Sequence, residues 1–150
     1  MRSIVLRSTL LGLFAALAGA AAIALASPAL AAMVNLKAEL STANEVPPGT
    51  GSASGSVTAT YDTDSKMLTW KGSYAGLSGP ATAAHFHSGE AGKNGGVAVP
   101  IFAGAAAKTP FEGSATLTDA QAADLMAGKL YVNVHTAANK AGEIRGQVTK

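Results

Sequence analysis

The chain has 150 residues, no cysteine, three histidines and a formal net charge of +2. Its length fits one domain, and the missing cysteines exclude disulfides, thiolate catalysis, iron–sulfur clusters and Cys-rich zinc sites. Arg2 and Arg7 carry the whole charge excess, because the nine later bases are scattered along the chain and balanced by nine acids, which argues against a nucleic-acid partner.

From the start, Arg2 and Arg7 precede an uncharged apolar run from Leu10 to Ala26, and Ser27-Pro28 breaks it. Ala29-Leu30-Ala31 then offers the small-x-small pattern of a cleavage site. Residues 1–31 are predicted to be a signal peptide, leaving a domain over 32–150. An uncleaved anchor fits less well, because 17 residues rich in Ala and Gly are short for a bilayer. No Cys follows to carry a lipid, and there is no twin-Arg pair. The domain is expected to be exported, periplasmic or secreted, with no membrane tie after cleavage. Without disulfides it must hold together by its core alone.

Short strands separated by Gly, Pro, Asn and Asp follow. Val34, Leu36, Ala38 and Leu40 alternate along the first. A Ser/Thr/Ala-rich strand over Gly51–Tyr61 ends in the turn Asp62-Thr63-Asp64-Ser65. Leu68, Trp70 and Tyr74 share one parity of the next, and Ala81–His87, Val97–Phe102, Phe111–Leu117, Leu130–Thr136 and Glu143–Val148 complete the set. About eight strands at this spacing predict an all-β fold, an antiparallel, Greek-key-like sandwich or barrel. Trp70, Leu130, Val132, Val134 and Ile144 are expected in its core. One helix is predicted near Asp119–Ala127: Thr118 and Gln121 match a capping box, and Gly128 marks the stop. The loops Ser41–Gly55 and Gly89–Gly96 lack the context of a phosphate-binding motif.

The chemistry rests on the histidines. Alternate residues of a strand point the same way, so His85 and His87 leave one face together while Ala84 and Phe86 leave the other. In Leu130–Thr136, Tyr131, Asn133 and His135 take the parity opposite the apolar one, and Arg145 lies with Glu143 and Gln147 on the corresponding side of the last strand. All three histidines and Arg145 are therefore expected on the outside of the sheet. Two readings stay open, plain surface histidines and a metal site, and Arg145 is equally consistent with a cross-strand pair. No Gly-x-Ser-x-Gly elbow supports a serine hydrolase, and no aromatic sugar platform flanks Glu90 or Glu143.

Four blocks resemble a known family. They are Asn44-Glu45-Val46-Pro47-Pro48, then Ala83-Ala84-His85-Phe86-His87-Ser88-Gly89, then Gly128–Thr136, then Gly142–Gln147. Their order from about Leu36 to Val148 resembles the CHRD domain, a repeat first recognised in chordin and found in many exported bacterial proteins. The resemblance implies an extracytoplasmic β-sandwich and, by way of chordin, protein binding. A second, local resemblance is to copper-zinc superoxide dismutases. His85, His87 and His135 are similar in order to copper ligands of those enzymes, and Arg145 to their anion-attracting arginine. No fourth histidine exists to bridge to zinc, so the zinc site is absent and the proton step must differ.

The expectation is thus an exported CHRD domain with a copper site on His85, His87 and His135. Three protein ligands leave an open position for water or a small anion, and Arg145 would draw superoxide toward it. The alternatives are a non-catalytic module that binds another exported protein, and a copper carrier without turnover.

Overall fold

The structure, a computed structural model, describes residues 32–104 and 107–150. The signal peptide expected over 1–31 lies outside the described residues. No helix among them is long and apolar enough to cross a membrane.

Strands β1 (Met33–Ser41), β2 (Ser54–Asp62) and β3 (Met67–Ala75) form a meander, with a 3-10 turn at Thr42–Asn44 after β1. A hairpin of β4 (Ala81–Ser88) and β5 (Gly96–Ala103) follows, then β6 (Phe111–Thr116), helix α1 (Asp119–Met126), β7 (Leu130–Thr136) and β8 (Ile144–Gln147). All eight strands join one sheet in the order β5-β4-β7-β8-β1-β2-β3-β6, and every ladder is antiparallel. The sandwich-or-barrel expectation resolves as a single sheet curled toward closure. Trp70 of β3 and Phe86 of β4 stand far apart in the strand order, yet their rings meet edge to face at 5.2 Å across the interior. Phe102 of β5 and Phe111 of β6, on the two edge strands, meet at 5.4 Å.

Period-two alternation decides which residues fill that interior. Leu36, Ala38 and Leu40 face inward from β1, and Leu68 and Trp70 from β3. Leu130, Val132, Val134 and Ile144 are completely buried, as their parity predicts. The helix starts where expected. Thr118 accepts a hydrogen bond from the Gln121 amide and donates its own amide to the Gln121 side chain. Gly128, at φ +70°, turns the chain out of it. Gln121 also donates to the Ala98 carbonyl of β5 (2.7 Å), so the crossover between β6 and β7 is stitched to the far edge of the sheet.

The strand order β4-β7-β8 has one consequence for function. It lays the outward side chains of three neighbouring strands side by side on a rigid face, with His85 opposite Asn133 and Asn133 opposite Arg145.

Candidate metal centre

His85 and His87 leave β4 on the same side, and β7 presents His135 beside them, paired through Ala83. One ring nitrogen from each of the three lies within 4.8 Å of the others. His85 Nδ1 and His135 Nε2 are 3.0 Å apart. Three nitrogens bound to one ion at about 2.0–2.1 Å stand roughly 3.3–3.6 Å from one another. The present spacings bracket that range, so ring rotations on the order of an ångström would bring all three onto one ion.

Backbone carbonyls choose the ligating atoms. A carbonyl only accepts, so His87 Nδ1–H donates to Gly95 O (3.0 Å) and His135 Nδ1–H donates to Lys140 O (3.0 Å). With Nδ1 committed, Nε2 is the atom each of these rings has left to offer a metal. His87 Nε2 is buried and has no hydrogen-bond partner. An orphaned lone pair of this kind is costly unless something such as a cation takes it up. Burial lowers the proton affinity of His85 and, in spite of the Lys140 carbonyl, of His135; repulsion from neighbouring imidazoles adds to both shifts. Both rings are thereby kept in the neutral form that metals require. The residues present fit a three-imidazole ion.

Arg145 leaves the outward side of β8, as its parity predicts, but it does not reach solvent. It is 2 % exposed, because the loop between β4 and β5 folds over it. Its Nη1 donates to Asn94 Oδ1 (3.1 Å), and its Nη2 to the carbonyls of Lys93 (2.7 Å) and Glu90 (3.3 Å). Its guanidinium carbon sits 3.4 Å over the centre of the Tyr131 ring. Tyr131 also stacks on His87, with centroids 4.9 Å apart and planes within 9°. Since β7 lies between β4 and β8, Tyr131 is sandwiched, with His87 to one side and Arg145 to the other. The Tyr131 hydroxyl accepts from the Gly95 amide (3.1 Å), next to the carbonyl that orients His87. Arg145, Tyr131 and the loop thus act together to fix His87.

The loop after β7 does the same for His135. Asn133 Nδ2 donates to Ala141 O (3.1 Å), next to the Lys140 carbonyl that holds His135. The loop is fastened by Glu143, whose carboxylate accepts from the Ser78 amide and hydroxyl, Thr136 Oγ1 (2.6 Å) and Asn139 Nδ2 (3.0 Å). Burial alone would raise its pKa, but these donors outweigh burial and hold it at about 2.

Three participants escaped the sequence reading: Tyr131 as a stacking partner, Glu143 as a fastener, and Glu45. Glu45 follows the 3-10 turn and is 8 % exposed. Burial pushes its pKa to about 7, against the opposing pull of Arg145 and a backbone hydrogen bond from Val46. The sequence signal was its place in the Asn-Glu-Val-Pro-Pro block.

The CHRD domain model matches residues 36–148, and the chain belongs to that family. No curated protein and no solved structure matches the chain, so the likeness in histidine order to copper-zinc superoxide dismutases gains no support there.

Proposed function

We propose that this CHRD domain works outside the cytoplasm and holds a single copper ion on His85 Nδ1, His87 Nε2 and His135 Nε2, where it dismutates superoxide. The supporting observation is the convergence of three imidazoles, two of them oriented by backbone carbonyls. Imidazole ligands suit copper and zinc, and copper binds the more tightly at a given nitrogen site. A copper ion held there would supply the one-electron redox chemistry that superoxide dismutation needs. Three protein ligands leave room for a small anion.

The chain's own residues divide the remaining work. The Gly95 and Lys140 carbonyls hold the tautomers, and Tyr131 blocks rotation of the His87 ring. His85 donates Nδ1–H to His135 Nε2 in the metal-free state, and its proton moves to Nε2 to free the ligand atom. Arg145 acts on an incoming anion through its field, since its donors are committed to the loop.

Metal analysis of protein purified from a copper-supplied periplasm tests the site. Wild type should carry close to one copper per chain, and His85→Ala and His87→Ala should each lose most of it. Copper retention without superoxide turnover would leave a carrier. Metal-free wild type from copper-replete cells would overturn the metal centre in favour of a protein-binding module.

A further inference from the structure

Among the described residues, several buried side-chain atoms have no hydrogen-bond partner. Four of them belong to this one face and its rim: His87 Nε2, Asn133 Oδ1, Gln147 Oε1 and Glu45 Oε1. A bound ion accounts for the first. It does not account for Glu45, a buried carboxyl beside an arginine that makes no hydrogen bond to it, because both Nη atoms of Arg145 are turned to the 89–96 loop. A charged carboxylate left with a free oxygen in such a place is costly, so the group holds its proton more tightly than a surface acid and gives it up more readily once a new positive charge compensates it.

The position of Glu45 relative to the ligands follows from Gly142. A β-carbon there would come within 2.6 Å of Glu45 Oε1 and 2.5 Å of Asn133 Nδ2, so those two atoms lie within roughly 5 Å of each other. Asn133 stands directly opposite His85 and two residues before His135 on the same strand face. Asn133 thus ties the Glu45 carboxyl, on one hand, to the strand positions that carry His85 and His135, on the other. The ionisable groups nearest it are Arg145 on β8 and the Glu143 carboxylate just past Gly142, the latter turned to Ser78 and Thr136; the histidines stand on the strand positions next along from Asn133.

We propose that Glu45 is the proton store of the histidine centre, giving up its carboxyl proton when positive charge on the bound ion rises and recovering it when that charge falls. The inference rests on the copper reading above and answers the question raised by the missing bridging histidine. A superoxide that takes one electron from copper(I) becomes hydrogen peroxide only by adding two protons. Glu45 gives one as the ion returns to copper(II) and becomes a carboxylate, and solvent water gives the other. The carboxylate is reprotonated from solvent when the next superoxide gives its electron to copper(II) and leaves as dioxygen.

The coupling is measurable without turnover. Calorimetric titration with zinc(II), which is redox-inert, in several buffers of different ionisation enthalpy at pH 7 counts the protons released on binding. Wild type should release about half a proton more than Glu45→Gln, because a group titrating near 7 is half protonated there. Equal release with both proteins loaded would overturn the proton store and leave the metal site standing. Carbon-13 NMR of glutamate-labelled wild type requires no variant. One carboxyl should titrate near neutrality in metal-free protein and move to lower pH with zinc; a carboxyl that does not move would overturn the proposal. Copper-loaded wild type should show a reduction potential that falls from pH 6 to pH 8, and Glu45→Gln a flatter one. Failure of wild type to take up either zinc or copper would remove the metal centre and the proton store together.

Discussion

Two buried glutamates lie on either side of Gly142, and they ionise about five pH units apart. Glu143 is 5 % exposed and Glu45 8 % exposed, yet Glu45 is surrounded by more of the protein, and desolvation is the leading cause of its raised pKa. A neighbouring cation does not separate them, since it is Glu45 that has Arg145 beside it. The number of donors aimed at each carboxylate separates them as well. Glu143 accepts from two hydroxyls, an amide side chain and a backbone N–H, which hold it charged down to about pH 2. Glu45 keeps one oxygen without a partner and titrates near 7. Depth of burial and hydrogen-bond donors in place, rather than charge nearby, decide here whether a carboxylate stays ionised. The same contrast divides their work, with Glu143 a fastener for the loop over His135 and Glu45 free to exchange a proton.

Removing the fastener should have the largest effect. Glu143→Ala strands Ser78, Thr136 and Asn139 and should cost about 3 kcal/mol or more of stability, read from urea unfolding. Because its folded pKa is depressed, the stability Glu143 contributes is present above about 4.5 and lost as pH falls toward 2. The variant should therefore lose the acid limb of the wild-type profile. A variant that kept that limb would show that the donors do not set the pKa.

Arg145→Ala tests the other side of the comparison. It should cost about 2–3 kcal/mol, since the guanidinium fills the Lys93 carbonyl and shares the Glu90 carbonyl with the Lys93 amide beneath the loop. It also releases Tyr131 from one side and with it the support of His87. Copper affinity should fall at least tenfold, independent of salt, in a competition titration. A superoxide rate that falls more at low salt than at high would add the steering role on top. Unchanged affinity would show that the loop holds His87 without Arg145.

Gly142→Ala puts a methyl group between the two regions. Its φ of +138° disfavours any side chain, and the new carbon would press on both Asn133 and Glu45. A loss of about 1–2 kcal/mol in urea unfolding is expected. A wild-type unfolding midpoint would mean that Glu45 does not pack against that loop.

Much of the fold was legible because it rests on period-two burial. The inward parity of Leu130, Val132, Val134 and Ile144 and the capping box at Thr118 and Gln121 are local patterns. His85 and His87 shared a face for the same reason, and His135 followed from the parity of β7. What parity does not reveal is which outward residues are covered. Arg145, Asn133 and Glu143 face away from the interior yet are buried, because the 89–96 and 137–142 loops fold back over the sheet. Those loops carry few apolar residues, and their anchors are backbone carbonyls, which leave no mark in a sequence. Glu45 was hidden for a further reason. Its environment is assembled from β7, β8 and the turn after β1, elements far apart along the chain.

The smallest expected effect belongs to Glu45→Gln, and its direction carries the information. The raised pKa of Glu45 means that its contribution to stability is fully present below about 4.5 and is lost as pH rises through about 7. Glutamine keeps the shape of the protonated acid and cannot ionise. At pH 5 the variant should match wild type within about 0.5 kcal/mol. By pH 8 wild type holds a buried charge that the variant lacks. A tenfold difference in proton affinity corresponds to about 1.4 kcal/mol, and partial solvent access and Arg145 screen some of it. The variant should therefore gain about 1 kcal/mol on wild type between pH 5 and pH 8 in metal-free protein, measured by urea unfolding at each pH. Glu143→Gln should show the reverse trend, falling further behind wild type as pH rises from about 2 through 5. Parallel profiles for wild type and Glu45→Gln across pH 5 to 8 would mean that Glu45 ionises like a surface acid, and the contrast between the two glutamates would collapse.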